Sequence, residues 1–157
     1  MEVVLEQFIP SDKPKRISNI FRYISIAFAV VGLMIIFASL IIGIALELAA
    51  LAFFLLGFLM YVDFEYELFN GNITITKVYN ASRRKVAQAI NKEDVKRVYV
   101  TDRKDALKKG VLPFYNTNIQ GLKIYTFELK NNKIVQLALN EELEKMVKIF
   151  YKKEMIF

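Results

Sequence analysis

Because histidine and cysteine are both absent, acid–base chemistry in this sequence would fall to carboxylates, lysines or tyrosines. Glu65 and Glu67 are two residues apart and would share one face of a strand. Glu141, Glu142 and Glu144 lie at the start of a predicted helix, where they complement its dipole. Alternation alone produces pairs such as Glu65 and Glu67, and the sequence has no glycine-rich phosphate loop, nucleophile elbow or metal-spaced cluster. We therefore predict a protein that is not an enzyme and that uses no cofactor or metal.

A long apolar run precedes these acids. From Tyr23 to Val62, 40 residues, the sole charged side chain is that of Glu47. A helix of that length would be about 60 Å long, whereas the hydrocarbon core of a bilayer is only about 30 Å thick. A soluble core this apolar would need covering elements that a chain of 157 residues does not supply. The run therefore predicts a hairpin of two transmembrane helices, at about 21–42 and 46–63, after an N-terminal cytoplasmic segment of residues 1–20.

Glu47 is predicted to lie at the tip of this hairpin, with the chain reversing between Gly43 and Glu47. At the tip the carboxylate reaches the far interface, whereas at the midplane an unpaired carboxylate costs about 2.5–3.5 kcal/mol. The alternative is an intramembrane proton or ion site, because ionisable residues within membrane spans are functional by default.

The charges that flank the hairpin predict its orientation. Positive residues precede the first helix and follow the second, while the connection has none; they are Lys13, Lys15, Arg16, Arg22, Lys77, Arg83, Arg84 and Lys85. The positive-inside rule then places both termini in the cytoplasm, which predicts a multi-pass protein of the cytoplasmic (inner) membrane with two spans.

After the hairpin the hydrophobic period changes to that of strands. Ile73 and Ile75 alternate with threonines, and Asn70-Gly71 predicts a type I′ turn between strands at about 64–69 and 72–79. We interpret Asn80-Ala81-Ser82 as a turn into a third strand, rather than as a glycosylation site. Further strands are predicted at about 85–90, at 95–101 and on both sides of Asn131-Asn132, which gives six, or seven with an imperfect strand at Pro113.

A C-terminal helix at about 141–152 completes the pattern. Asn140 is a suitable N-cap, and one apolar stripe is formed by Leu143, Met146, Val147 and Phe150. The predicted fold class is an α+β membrane protein. Its two-helix transmembrane hairpin is followed, over residues 64–157, by a bent antiparallel β-sheet or barrel of six to seven strands that the helix caps.

Two stretches, FEYELFNGNITITKVYNASRRKV and EELEKMVKIFYKKEMIF, are similar to a family of small bacterial two-helix membrane proteins. The whole layout resembles the bacterial membrane-anchored pleckstrin-homology-like (PH-like) proteins. This resemblance implies a PH-like fold for the C-terminal domain and no particular reaction. In phosphoinositide-binding members of the fold, basic residues line the loop between the first two strands. That loop is predicted here to be the tight Asn70-Gly71 turn, which leaves no room for a headgroup cradle.

Basic charge is concentrated in one region. The net charge is +6, and residues 77–109 carry eleven Lys or Arg against four acids. Near an anionic cytoplasmic leaflet each basic residue contributes about 1 kcal/mol, so this segment is a candidate contact for lipid headgroups or for a protein partner. Ordinary solvation of an inside-facing surface is the alternative. The candidate residues are Arg83, Arg84, Lys85, Lys96, Arg97, Arg103, Lys104, Lys108 and Lys109.

These patterns predict a membrane-anchored, non-catalytic interaction module whose cytoplasmic domain contacts anionic lipid headgroups or a membrane or cytoplasmic protein partner. The alternative is a small accessory subunit of a membrane transport or envelope complex, which assembles through its helical hairpin. Nucleic acid is not an expected partner despite a pI of about 9.4, because the sequence has no recognition helix, zinc site or ribonucleoprotein motif.

Overall fold

The structure is a computed structural model that describes residues 4–102, 110–116 and 121–156. It divides into two compact units. The helical unit consists of Ser11–Val62 and Tyr79–Arg83. The sheet unit consists of the described residues within Met1–Pro10, Asp63–Val78 and Arg84–Phe157.

Two antiparallel helices form the helical unit, α1 at Asp12–Ile35 and α2 at Leu40–Met60. At 1.5 Å per residue they are about 36 and 32 Å long, and both are long and apolar enough to span a membrane. A tight turn joins them, in which the Ser39 N–H donates to the Ile35 carbonyl at 2.8 Å. At the other end of the pair the Ser18 hydroxyl donates to the Gly57 carbonyl at 2.6 Å.

Glycines set how closely the two helices pack. Gly32, Gly43 and Gly57 are buried, and a Cβ atom at Gly43 would lie only 2.7 Å from the Cα of Ile36. Small residues of this kind allow helix backbones to approach closely. Outside this contact the helical unit exposes many apolar side chains; Ile41 on α2 is 82% exposed, and Phe37 in the connecting turn is 94% exposed.

The position of the reversal differs from the prediction. The chain turns at residues 36–39, before Gly43, so Glu47 is the eighth residue of α2 and not the tip of the hairpin. Gly43 lies within α2 rather than in a turn, and its missing side chain allows close packing against Ile36. Helix α1 also begins at Asp12, well before the predicted residue 21. Polar residues extend its first turns beyond the apolar run, and Pro14 is tolerated there because its missing N–H would have no intrahelical partner.

Eight strands lie in the described part of the chain, in two four-stranded sheets. The first sheet has the order β1-β2-β3-β4, with β1 at Val4–Ile9, β2 at Val62–Phe69, β3 at Asn72–Tyr79 and β4 at Arg83–Ile90. The second has the order β5-β7-β8-β6, with β5 at Val95–Thr101, β6 at Val111–Pro113, β7 at Lys123–Leu129 and β8 at Ile134–Leu139. The short strand β6 pairs with β8 in parallel. Helix α3, Glu141–Phe150, follows, and the Asn140 side chain accepts from the Leu143 N–H at 2.8 Å as its N-cap.

The α+β class and the C-terminal helix are therefore confirmed. Strand β1 was not predicted, and it brings the count above the predicted six to seven. It pairs with β2 in antiparallel register, so that Gln7 faces Tyr66. Its six residues alternate only weakly between apolar and polar, and their partner strand begins more than fifty residues later, so neither local pattern nor local pairing indicates a strand.

Both turns of the β2-β3-β4 meander use left-handed residues. The predicted type I′ turn is present, with φ of 47° at Asn70 and 86° at Gly71. The β3–β4 turn has the same character, with φ of 52° at Asn80 and 56° at Ala81. Positive φ costs little at Gly or Asn, whereas an alanine there is strained.

The core of the sheet unit is apolar apart from a few bonded polar groups. Tyr66, Phe127 and Tyr151 have no exposed surface, and the rings of Phe127 and Tyr151 meet edge to face at 5.6 Å between centroids. The Glu144 carboxylate is also buried. It accepts from Lys123 at 3.0 Å and from the Tyr125 hydroxyl at 2.9 Å, and it also pairs with Lys148. Burial alone would raise the pKa of Glu144, but these hydrogen bonds outweigh it and lower the pKa to about 2.

Candidate interaction surface

The β3–β4 turn is bonded to the base of the helical hairpin, within the helical unit. The Asn80 N–H donates to the Tyr61 carbonyl at 2.9 Å, just past the end of α2. The Arg22 guanidinium of α1 donates to the Asn80 side-chain oxygen. Asn80 suits this position because its side chain is a short acceptor and its backbone tolerates positive φ. The turn therefore holds Arg83, the first residue of β4, at the hairpin end opposite the apolar 36–39 turn.

The first half of β4 is exposed on both of its faces. Arg83, Arg84, Lys85 and Val86 are all exposed in succession, with Val86 at 60%. We call residues 83–85 the basic segment. Because successive strand residues point to opposite sides, a basic side chain extends from either face of this strand.

One of these three cations is already paired. Arg84 Nε lies 3.0 Å from Glu65 Oε2, and the Arg84 side chain is 66% exposed. Exposed pairs of this kind contribute about 0–1 kcal/mol. Within the described residues, Arg83 and Lys85 make no ion pair, so they are the members of the basic segment that can meet an external anion.

Further cations lie at the same end of the helical unit. Because α1 and α2 are antiparallel, the N-terminal turns of α1 lie at the C-terminal end of α2, next to the β3–β4 turn. These turns carry Lys13, Lys15 and Arg16. Together with Arg83 they make this end basic, whereas residues 36–39 at the other end carry no charge.

Two of the remaining predicted cations, Lys96 and Arg97, belong to a different strand from the basic segment. Lys96 and Arg97 are exposed on β5, which follows the far end of β4. At that end the Lys92 N–H donates to the Asn72 side chain at 3.0 Å. The five residues from Lys85 to the end of β4 cover roughly 17 Å. Arg103, Lys104, Lys108 and Lys109 lie outside the described residues.

Two open depressions lie in the sheet unit, and neither has a mostly apolar lining. One, about 430 Å³ in volume, lies beside the Asn70-Gly71 turn. Its lining is polar, and Glu93 and Asp94 outnumber Lys92 there. The other, about 230 Å³, is lined by Lys96, Lys133 and Glu128 among others. The second depression is smaller than the usual ligand pocket of about 300–1,000 Å³, and both lack the mostly apolar lining of such pockets.

The buried tyrosine hydroxyls of the sheet unit donate to acceptors within the protein. Residues 4–102, 110–116 and 121–156 contain no cluster of three or more His, Cys, Asp or Glu that could hold a metal ion. Burial raises the pKa of Tyr66, and burial together with the hydrogen bond to Glu144 raises that of Tyr125. These hydroxyls therefore keep their protons at neutral pH and act as structural donors.

Glu47 occupies an unusual place for an acid. It lies on the face of α2 that meets α1, and its Oε1 atom is buried without a hydrogen-bond partner in the described part of the protein. A Cβ atom at Gly32 would lie 2.8 Å from this oxygen, so the missing side chain of Gly32 makes room for it.

Sequence reasoning did not identify Arg22 and Asn80 as a pair. In the sequence Arg22 indicates the orientation of the hairpin and Asn80 indicates a turn, and no local pattern pairs them. A signal was available, because Arg22 stands alone between apolar neighbours and needs a polar partner there. The partner itself is 58 residues away in sequence, beyond the reach of any local pattern.

Comparison with known protein families gives a match over the whole chain. A family model described as a bacterial PH-like domain (DUF6106) matches residues 1–157. No curated protein and no solved structure matches the chain at a significant level.

Proposed function

Because the chain belongs to this bacterial PH-like domain family, we propose that it is a membrane-anchored, non-catalytic interaction module. In this proposal the α1–α2 hairpin crosses the cytoplasmic membrane twice with both termini inside. The exposed basic segment at the start of β4 contacts anionic lipid headgroups.

The observation that carries this proposal is the attachment of the β3–β4 turn to the hairpin. The bonds from Asn80 to Tyr61 and from Arg22 to Asn80 keep Arg83 at the cationic end of the helical unit. If the apolar length of α2 fills the hydrocarbon, its C-terminal end reaches one interface, since a 21-residue helix is about as long as the hydrocarbon core is thick. Arg83 then lies at the level of the headgroups without any further movement of the chain.

Electrostatic attraction between basic residues and anionic lipids sets the approximate free energy of this contact. Basic residues within a Debye length of an anionic leaflet gain about 1 kcal/mol each. At this end of the helical unit Arg83, Lys13, Lys15 and Arg16 supply four such charges against one acid, Asp12, whereas the 36–39 turn supplies none. The same asymmetry favours insertion with the basic end in the cytoplasm.

Cysteine labelling tests the anchoring, because the chain contains no native cysteine. We expect Phe37→Cys, in the 36–39 turn, to react with a membrane-impermeant maleimide from outside intact cells. Ser82→Cys, in the β3–β4 turn, should react only after the inner face is opened. Labelling of both positions from the same side would overturn the two-span topology.

The lipid contact is tested with the full chain in nanodiscs. A fluorophore at Ser82→Cys should be quenched more strongly by a headgroup quencher carried on a minor anionic lipid than by the same quencher on a zwitterionic lipid, because the basic segment enriches anionic lipid around itself. Adding Arg83→Glu and Lys85→Glu should abolish the difference. Lys152→Glu with Lys153→Glu, which makes the same charge change at two exposed positions after α3, is the matched control and should preserve it. Equal quenching by both lipids for the unaltered surface would disprove lipid recognition and leave a protein as the partner.

A second function, as an accessory subunit that assembles through the hairpin, is favoured by one observation. Glu47 presents a buried oxygen that the described chain leaves without a hydrogen bond.

A further inference from the structure

Glu47 lies deep within the apolar part of the hairpin. It follows Leu40 by seven residues and precedes Met60 by thirteen, which places it about 10 Å from one end of α2 and about 20 Å from the other. If the hairpin spans the membrane as proposed above, on which this inference rests, the carboxyl group lies inside the hydrocarbon. Polar groups at that depth cannot be satisfied by bulk water.

One oxygen of the Glu47 carboxyl group lies in the contact between the helices, while part of the side chain remains exposed. Its Oε1 atom is buried against the notch left by Gly32, yet the side chain as a whole is only half-buried. Gly32 itself is buried and has no side chain to cover the neighbouring surface. A third helix can therefore come close to the carboxyl group along this side of the hairpin.

The described residues of the hairpin offer this oxygen no donor. The contacts of Gly32 with Leu46 and Glu47, and of Gly43 with Ile36, fix the register of the two helices. In this register Ser25 lies about two turns from Glu47 along the axis, because it precedes Gly32 by seven residues. Ser18 donates to Gly57, and Arg22 donates to Asn80. The donor has to come from outside the hairpin.

We propose that the Glu47–Gly32 notch binds a transmembrane helix of another protein that presents a lysine or arginine at the same depth. Charge complementarity selects this occupant, because ionisable groups within membranes pair with one another. A second copy of the hairpin is a poorer fit, since it would bring one carboxyl group against another at this notch. The partner's long basic side chain also reaches a half-buried acid more easily than a short hydroxyl does.

The test uses the full chain in bilayers and two synthetic probe helices. One probe is a polyleucine transmembrane peptide with a single arginine at the depth of Glu47, and the other is its all-leucine counterpart. Energy transfer from labelled protein to labelled peptide reports association. We expect the arginine peptide to associate at least about tenfold more tightly than the leucine peptide.

Variants locate the contact. Glu47→Gln keeps the shape of the side chain and should reduce binding of the arginine peptide to the level of the leucine peptide. Glu65→Gln, which removes a carboxylate outside the hairpin, should leave it unchanged. Equal binding of both peptides to the unaltered protein would overturn the inference, as would full binding by Glu47→Gln. Self-association that depends on Glu47 and excludes the probe would assign the notch to a second copy instead.

The two proposals fail separately. If the labelling of Phe37→Cys shows that the hairpin does not cross the membrane, the anchoring proposal fails. If the hairpin crosses but the notch does not distinguish the two probes, this inference alone fails.

Discussion

Gln7 and Ala138 join the two ends of the chain in the core of the sheet unit. The Gln7 side chain donates to the Ala138 carbonyl at 3.0 Å, and its oxygen accepts from the Asn140 N–H, also at 3.0 Å. Gln7 is only 6% exposed. One side chain of β1 thus satisfies backbone groups at the end of β8 and at the N-cap of α3.

This relationship predicts a large effect for Gln7→Leu. The substitution would leave a backbone carbonyl and an N–H without partners in a buried region, at about 1–3 kcal/mol for each group. We expect the free energy of unfolding to fall by a few kcal/mol, measured by chemical denaturation with tyrosine fluorescence. Glu6→Ala, at an exposed position of the same strand, should change it by less than about 0.5 kcal/mol. Equal effects of the two substitutions would contradict the role assigned to Gln7.

The depressed pKa of Glu144 predicts acid lability. Its pKa is lowered from the ordinary value of 4.5 to about 2 in the folded protein, so on acidification the unfolded state binds a proton first. The stabilisation is complete above about pH 5 and is lost as the pH falls from about 4.5 towards 2, by roughly 1–3 kcal/mol in all.

Glu144→Gln should remove that part of the pH dependence and lower stability at pH 7. Glu142→Gln, at an exposed position of the same helix, should leave the pH dependence and the stability at pH 7 unchanged. Denaturation midpoints measured between pH 2 and pH 7 test this. If the Glu144→Gln curve parallels that of the unaltered protein below pH 4.5, the ion-pair network is not the cause.

The bond between Arg22 and Asn80 predicts a difference between two substitutions of Asn80. Asn80→Gly keeps a residue suited to positive φ but removes the acceptor, so protection of the turn amides against hydrogen exchange should fall. Asn80→Asp retains an acceptor for Arg22 and should preserve the protection of these amides. A charge-assisted bond is worth about 1.5–3 kcal/mol, which corresponds to more than about tenfold in exchange rate. Unchanged protection in Asn80→Gly would show that the backbone bond to Tyr61 is sufficient to hold the turn.

Close packing at Gly43 predicts that even one methyl group is harmful. In Gly43→Ala the new Cβ would lie 2.7 Å from the Ile36 Cα, and backbone cannot yield as a side chain can. We expect a loss of about 1–3 kcal/mol, larger than the gain of about 1 kcal/mol in helix propensity. Thermal unfolding in detergent micelles, followed by the helical circular-dichroism signal, measures this loss of stability. Ile42→Ala, at a position 54% exposed, is the control, and an equal or higher midpoint for Gly43→Ala would exclude tight packing there.

The amino-acid sequence by itself determined the presence of two long apolar helices, the Asn70-Gly71 turn and the capped C-terminal helix. These features depend on composition, local period and residues with special backbone preferences, all of which act over a few neighbouring positions. The tertiary structure decided where the hairpin reverses, because the choice between residues 36–39 and Gly43 depends on which glycine packs against the opposite helix. It also decided that residues 4–9 form a strand, that Arg22 meets Asn80, and that Glu47 faces Gly32. Each of these contacts joins residues distant in sequence, and their energy comes from burial and pairing that exist only once the chain has folded.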